Sequence, residues 1–184
     1  DNSVLGIAMG TSEAAGFVDE QGRITGWLNE LAFAPVDANP QALEDEWSHD
    51  IGCGGKYFSQ DAVIKLAPAA GIELDESLSP AEKLKAVQKL MEADDPRAAA
   101  IYRSIGCYLA HTLAFYYSLY RCRNVLLLGR VMSGKGGDLI ISNCEKILAD
   151  EYPELDGKIR LALPDEYFRR VGQSAVAASL PDIP

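Results

Sequence analysis

The sequence predicts one α/β domain, a mixed sheet flanked by helices, and three observations carry that expectation. The apolar patterns run in the order of a strand pair, then helix, strand, helix, strand and helix, which is the order of a mixed layered fold. The chain has 184 residues, about one domain and long enough to bury a real core. Its 48% apolar and 24% charged residues are an ordinary globular balance, which excludes a disordered tail, a collagen and a mucin-like stalk.

Each element has its own signal. Val4 to Met9 is an apolar run that leads straight into Gly10-Thr11 and reads as a strand. Phe17-Val18, Asp19-Glu20-Gln21-Gly22 and Arg23-Ile24-Thr25 read as strand, polar turn and strand. Residues 29–50 are irregular, with Pro35, Pro40 and the acidic patch Glu44-Asp45-Glu46. Ser59 to Ala70 is helical, with Val63, Ile64 and Leu66 apolar. Ser79-Pro80-Ala81-Glu82 is a capping box with proline at the first helical position, opening a helix to about Ala93 that buries Leu84, Val87, Leu90 and Met91. Asp94-Asp95-Pro96 starts a long helix to about Tyr120, whose Ile101, Ile105, Tyr108, Leu109, Thr112, Leu113 and Tyr116 recur at three- and four-residue spacing. Asn124 to Leu128 is a buried strand, followed by a glycine-rich turn and a helix from Asp138 to Ala149. Lys158 to Leu163 is a last strand, and Gly172 to Leu180 a last, tightly packed helix.

Charge and cysteine usage narrow the function classes. The net charge is −10, and an acidic surface repels nucleic-acid phosphates and anionic lipid. No apolar run spans a bilayer, and Asp1-Asn2-Ser3 does not begin a signal peptide. Neither nucleic acid nor membrane is expected as a partner. Cys53, Cys107, Cys122 and Cys144 are widely spaced, the pattern of reduced thiols in a cytoplasmic protein.

Several constellations could carry chemistry. Gly10 to Gly16 offers small residues and the hydroxyls of Thr11 and Ser12 at a strand end, where backbone N–H groups can face a phosphate. Glu13 puts a carboxylate in the same place, and taken alone the segment reads first as a tight hairpin corner. Gly129 to Gly136 fits G-x-x-x-x-G-K, but Gly136 stands where a magnesium-holding Ser or Thr belongs, and only one strand follows. A glycine-rich strand-to-helix turn still suits nucleotide contact through the helix N-terminus. Trp27-Leu28-Asn29-Glu30, with Asp37 beyond, combines ring, amide and carboxylate as a sugar site does, but taken alone the segment reads first as a surface loop with one buried Trp. His49 and Cys53 are too few for a closed zinc site, which takes four ligands. His111 lies within the long helix and reads as a satisfied core or interface residue.

Taken in order, these segments resemble the C-terminal half of ROK-family proteins, the sugar kinases and repressors of the actin-like ATPase superfamily. Val4–Gly16 is similar to that family's strand and G-T-G-x-G phosphate loop. Asn29-Glu30 through Asp37 resembles its G-E-x-G-H-x-x-x-D sugar segment. Cys53 and Tyr57–Ala62 resemble the end of its cysteine motif and the helix beyond. Val125–Ser133 resembles the adenosine loop, and Gly172–Ala178 the closing G-A-A helix. The departures are specific. Ser12 and Ala14 replace glycines, Phe33 replaces a histidine, Gly55 replaces an acid, and Arg130 replaces a glycine.

The resemblance implies a ribonuclease H-like half of an actin-like ATPase fold, with residues 1–184 forming one C-terminal domain. It implies nucleotide contact through Gly10, Thr11, Ser12, Gly129, Ser133 and Gly134, and contact with a hexose or amino sugar through Asn29 and Glu30. ATP with magnesium would serve the whole protein. No zinc is expected, because the family's cysteine motif is reduced to Cys53. The family's D-x-G-G-T loop and its N-D base do not occur here, so no catalytic residue is expected in this chain. Two further readings stand beside the kinase: a sugar or nucleotide sensor that transfers no phosphate, and a dimerisation module of a transcriptional regulator. The aromatic-rich helix Ile101–Tyr120 predicts a homodimer.

Overall fold

The structure, a computed structural model, describes residues 3–25 and 30–164. Alternation builds the first strand, β1 (Val4–Met9): Leu5, Ile7 and Met9 are buried on one face while Val4, Gly6 and Ala8 are half-covered on the other. A short corner turns it back into β2 (Glu13–Val18), with the Gly10 N–H donating to the Ser12 carbonyl at 3.0 Å. The strand therefore begins at Glu13, and only residues 10–12 are loop. The second hairpin is the one the polar turn predicts. The Asp19 carboxylate accepts from the N–H groups of Gln21 and Arg23, and the chain returns as β3 (Ile24–Thr25).

Three helices follow before the next strand. Ser59 caps α1 (Gln60–Ala69) by accepting from the Asp61 N–H at 3.1 Å. The Ser79–Glu82 box starts α2 (Pro80–Glu92), with the Glu82 carboxylate accepting from the Ser79 N–H at 2.9 Å. Asp95 caps the 25-residue α3 (Pro96–Tyr120), accepting from the Arg97 N–H at 2.9 Å. Then come β4 (Asn124–Leu128), α4 (Gly134–Glu151) and β5 (Arg160–Ala162). The sheet order is β3-β2-β1-β4-β5, with β2 antiparallel to its neighbours and β1, β4 and β5 parallel. The inward residues of β1 and β4 meet Ile101, Ile105, Leu109 and Leu113 of α3 and Ile140 and Cys144 of α4 in one core.

The structure corrects several expectations. Helix α4 begins at Gly134 instead of Asp138. Its first turn is rich in glycine, a poor helix former, but Gly136 lies beneath the Tyr102 ring and Gly137 against the Met132 carbonyl, where no side chain would fit. Close packing overrides propensity there. The aromatics of α3 mostly serve the chain's own core: Tyr102, Tyr116 and Tyr120 are buried, and Tyr108 packs edge-on against Tyr57 at 4.7 Å. Phe115 and Leu119 are the large apolar side chains that this helix exposes. Leu90 is half-buried. His111 is a surface residue, paired with the Tyr152 hydroxyl at 2.8 Å. The segment Gly172–Leu180 lies outside the described residues.

Candidate functional site

The carboxyl ends of β1 and β4 lie side by side because the two strands are parallel neighbours. In open α/β sheets that edge is where ligands bind. Gly129, at the end of β4, has φ +95° and presses against the Met9 backbone, where a Cβ would strike the Met9 carbonyl. This joins Gly129 to the Gly10-Thr11-Ser12 corner. The α1 N-terminus also reaches the corner, with the Gln60 N–H donating to the Gly10 carbonyl at 2.8 Å. Thr11 and Ser12 are exposed, with their hydroxyls unengaged among the described residues.

Ser133 and Gly134 sit at the start of α4, where an anion would be expected. That position is taken by the last residue of α2. The Glu92 carboxylate accepts from the Lys135 N–H at 3.1 Å. The Lys135 ammonium is also committed, to the Glu92 carbonyl at 3.1 Å and to Asp94 at 2.6 Å. The phosphate-loop lysine of a G-x-x-x-x-G-K motif is thus a fastener between two helices here. Gln88 completes the contact by donating to the Arg130 carbonyl at 2.7 Å.

On the sugar side, Asn29 and Trp27 lie outside the described residues. Glu30 is exposed and leads into a 3-10 turn, Leu31–Phe33. It stands at the rim of an apolar groove formed with Phe33, Pro35, Phe115, Tyr116 and Leu119. Phe33 stacks on the 81%-exposed Trp47, ring centres 5.7 Å apart. Asp37 faces its own fold: its carboxylate accepts from the Tyr57 hydroxyl at 2.6 Å and the Asn39 N–H at 2.9 Å, bonds that hold it below the usual carboxylate range. Tyr57 in turn lies under the Lys65 ammonium, 3.2 Å from the ring centre. Burial brings Lys65 down to about 8.

Two groups differ from the sequence reading: one was not singled out, and the other points the opposite way. The first is Lys56, only 5% exposed, whose ammonium meets Asp61 at 3.0 Å, Asp45 at 3.5 Å and Glu46. It fastens the acidic segment 44–46 to α1. The acidic patch was visible in sequence, but its cation lies ten residues away and has no spacing signal. The second is Glu13. Its carboxyl is turned inward instead of lying where a phosphate would sit. His49 pairs with Glu44 at 2.7 Å, while Cys53 is buried. Among the described residues no three His, Cys, Asp or Glu side chains gather as a metal site, and no helix is long and apolar enough to cross a membrane. All four cysteines are free thiols.

A five-stranded mixed sheet flanked by helices, in which β2 runs against all the other strands, is the class of fold found in one half of actin-like ATPases. The solved structures are more specific, and the chain has the fold of about half of a ROK protein. It superposes on a glucokinase from Streptomyces griseus solved with glucose and AMPPNP, at TM-score 0.65 and 18% identity, over 88% of this chain and 55% of that one. A ROK transcriptional regulator, homologue of the Escherichia coli Mlc protein, gives 0.68 and 18%, over 89% and 42%. The ROK hexokinase of Thermus thermophilus gives 0.64 and 18%, over 88% and 51%. The chain spans about half the length of these structures. No protein-family model and no curated protein matches its sequence.

Proposed function

We propose that this chain is the ATP- and sugar-binding domain, C-terminal in the whole protein, of a ROK-like sugar kinase. The observation that carries this reading is the convergence of Gly10, Thr11, Ser12 and Gly129 at adjacent strand ends, in a fold shared with a glucokinase solved with glucose and AMPPNP. ATP with magnesium would supply the phosphoryl group. The Thr11 and Ser12 hydroxyls and the backbone at Gly10 and Gly129 fit its phosphates. Ser133 and Gly134 do not fit an anion while Glu92 caps α4. Asn29 and Glu30 would orient a hexose or amino sugar. The base acting on the sugar hydroxyl would come from the other half of the protein. The whole protein would work in the cytoplasm, with no nucleic-acid contact through this domain and none with membrane. A homodimer would use Phe115 and Leu119, the outward apolar residues of α3.

A second reading, a sugar or nucleotide sensor or a dimerisation module of a regulator, is favoured by Glu92 on the α4 N-terminus, by Phe33 at the histidine position of the family's sugar segment and by Gly55 at the acid position of its cysteine motif. Calorimetry with glucose, an N-acetylated amino sugar and Mg-ATP separates the readings. Binding of sugar and Mg-ATP together supports the kinase domain, either alone supports the sensor, and neither supports an assembly module.

A further inference from the structure

Glu13 opens β2 directly after the 10–12 corner and is 5% exposed. Neither of its carboxyl oxygens has a hydrogen-bond partner. Oε2 occupies the place where a Cβ at residue 54 would stand, beside the Leu31 carbonyl, so Gly54 is what admits the carboxyl. Among the described residues, no packed element brings a free cation to it. From α3 comes Tyr116, whose hydroxyl is also buried and unpartnered and whose proton is retained first by that burial and then by Glu13 when ionised. From the turn at residues 54–56, Lys56 is spent on Asp45, Glu46 and Asp61. From the 31–33 turn, the neighbouring Glu30 is exposed at the groove. β1 brings no titratable side chain. An ionised carboxylate without donor or counter-charge costs several kcal/mol to bury, so such a group keeps its proton. Burial pushes Glu13 up to about 8.

We propose that Glu13 is a positioning residue for the 10–12 corner, kept as the neutral acid while a phosphate-bearing ligand sits there, so that anion binding and proton uptake are coupled. This rests on the reading of Gly10–Ser12 as a phosphate loop. The physical reason is like-charge repulsion: a phosphate on residues 10–12 and an ionised carboxyl at residue 13 each raise the cost of the other. Linkage makes the coupling reciprocal, since a phosphate that prefers the protonated form also draws the proton on.

The test is calorimetry with Mg-ATP, whose phosphates are fully ionised above neutrality, at several pH values between 6.5 and 9.5. Each titration is run in two buffers of different ionisation enthalpy. Binding should weaken about tenfold between pH 7 and 9, the loss expected when only the protonated fraction is competent, with net proton uptake above pH 7.5. Glu13→Gln should bind equally across the range and take up no proton; Glu13→Met serves if that variant does not fold. Binding that is independent of pH in the parent protein, or a pH slope retained in the variant, overturns the coupling. The carboxyl carbon resonance of Glu13 in the free protein separates the two ideas. A titration midpoint near the ordinary glutamate value overturns the proposal outright. A midpoint above 7 with no Mg-ATP binding at any pH overturns the phosphate-loop reading beneath it.

Discussion

Replacing Lys56 with methionine tests how the acidic segment is held to the body of the domain. The substitution keeps an unbranched apolar stem and removes the one cation that Asp45, Glu46 and Asp61 share. A unit charge pair at 3.0 Å is worth about 5.5 kcal/mol at an effective dielectric of 20. Desolvation of the ammonium offsets much of that, and Glu46 is 83% exposed, so its share is screened. The net loss on removing the partner should be about 3 kcal/mol, at the low end for a broken buried pair. In urea that moves the midpoint down by roughly 1–1.5 M. The pH dependence has a definite sign. Hydrogen bonds and Lys56 hold Asp45 and Glu46 below the usual carboxylate range, so their contribution is full above that range and lost as pH falls through the folded values. In Lys56→Met the three carboxylates repel one another, and protonation relieves them. The gap between the two proteins should therefore narrow on acidification towards pH 4. A midpoint shift below about 0.3 M, or a gap that widens in acid, would refute this account.

Gly54→Ala should cost about 1–3 kcal/mol by thermal unfolding, because its methyl would strike the Glu13 carboxyl and the Leu31 carbonyl; most of that loss should persist when Glu13→Ala is added, because the Leu31 carbonyl is backbone and stays in place. Glu30→Ala should weaken sugar binding roughly ten- to a hundredfold, the worth of one charge-assisted hydrogen bond, while circular dichroism and melting temperature stay unchanged because the residue is exposed. The 184-residue chain alone should show no ATP-dependent phosphorylation of hexoses in a coupled assay, since no base is expected within it. Lys135→Ala should loosen the end of α2 from α4 by roughly 1 kcal/mol, read as faster amide exchange in the first turn of α4, because it removes the two hydrogen bonds of the ammonium while the backbone bond to Glu92 stays.

Local rules made most of the fold legible. Caps and prolines marked the starts of α2 and α3, and short apolar runs marked β1 and β4. The start of α4 was hidden, because its glycines look like a turn until the Tyr102 ring is placed over them. The site was legible only by strand end. Gly10 and Gly129 could be matched by their place after a strand, yet nothing local says that Glu92 will reach across from α2 to cap α4. Nor does spacing reveal which way Glu13 turns: the pleat decides it, and a one-residue shift of β2 would have sent the carboxylate outward. The aromatics of α3 suggested a partner surface because they outnumber one helical face, but a 25-residue helix lying between the sheet and three other helices has more than one face to bury.

The position of β1 in the middle of the sheet has a kinetic consequence. One edge is matched at once by β2, with Met9 opposite Glu13 across a three-residue corner. The other edge waits for β4, where Val4 meets Asn124, after α1, α2 and α3 have been made. Closing so long a loop is slow compared with helix formation. During synthesis the first hairpin emerges with an apolar edge and face uncovered, and it stays that way until residue 128 has cleared the ribosome. The intermediate most prone to aggregate is therefore this early hairpin, and substitutions that stabilise α3 on its own should speed the closing of the sheet.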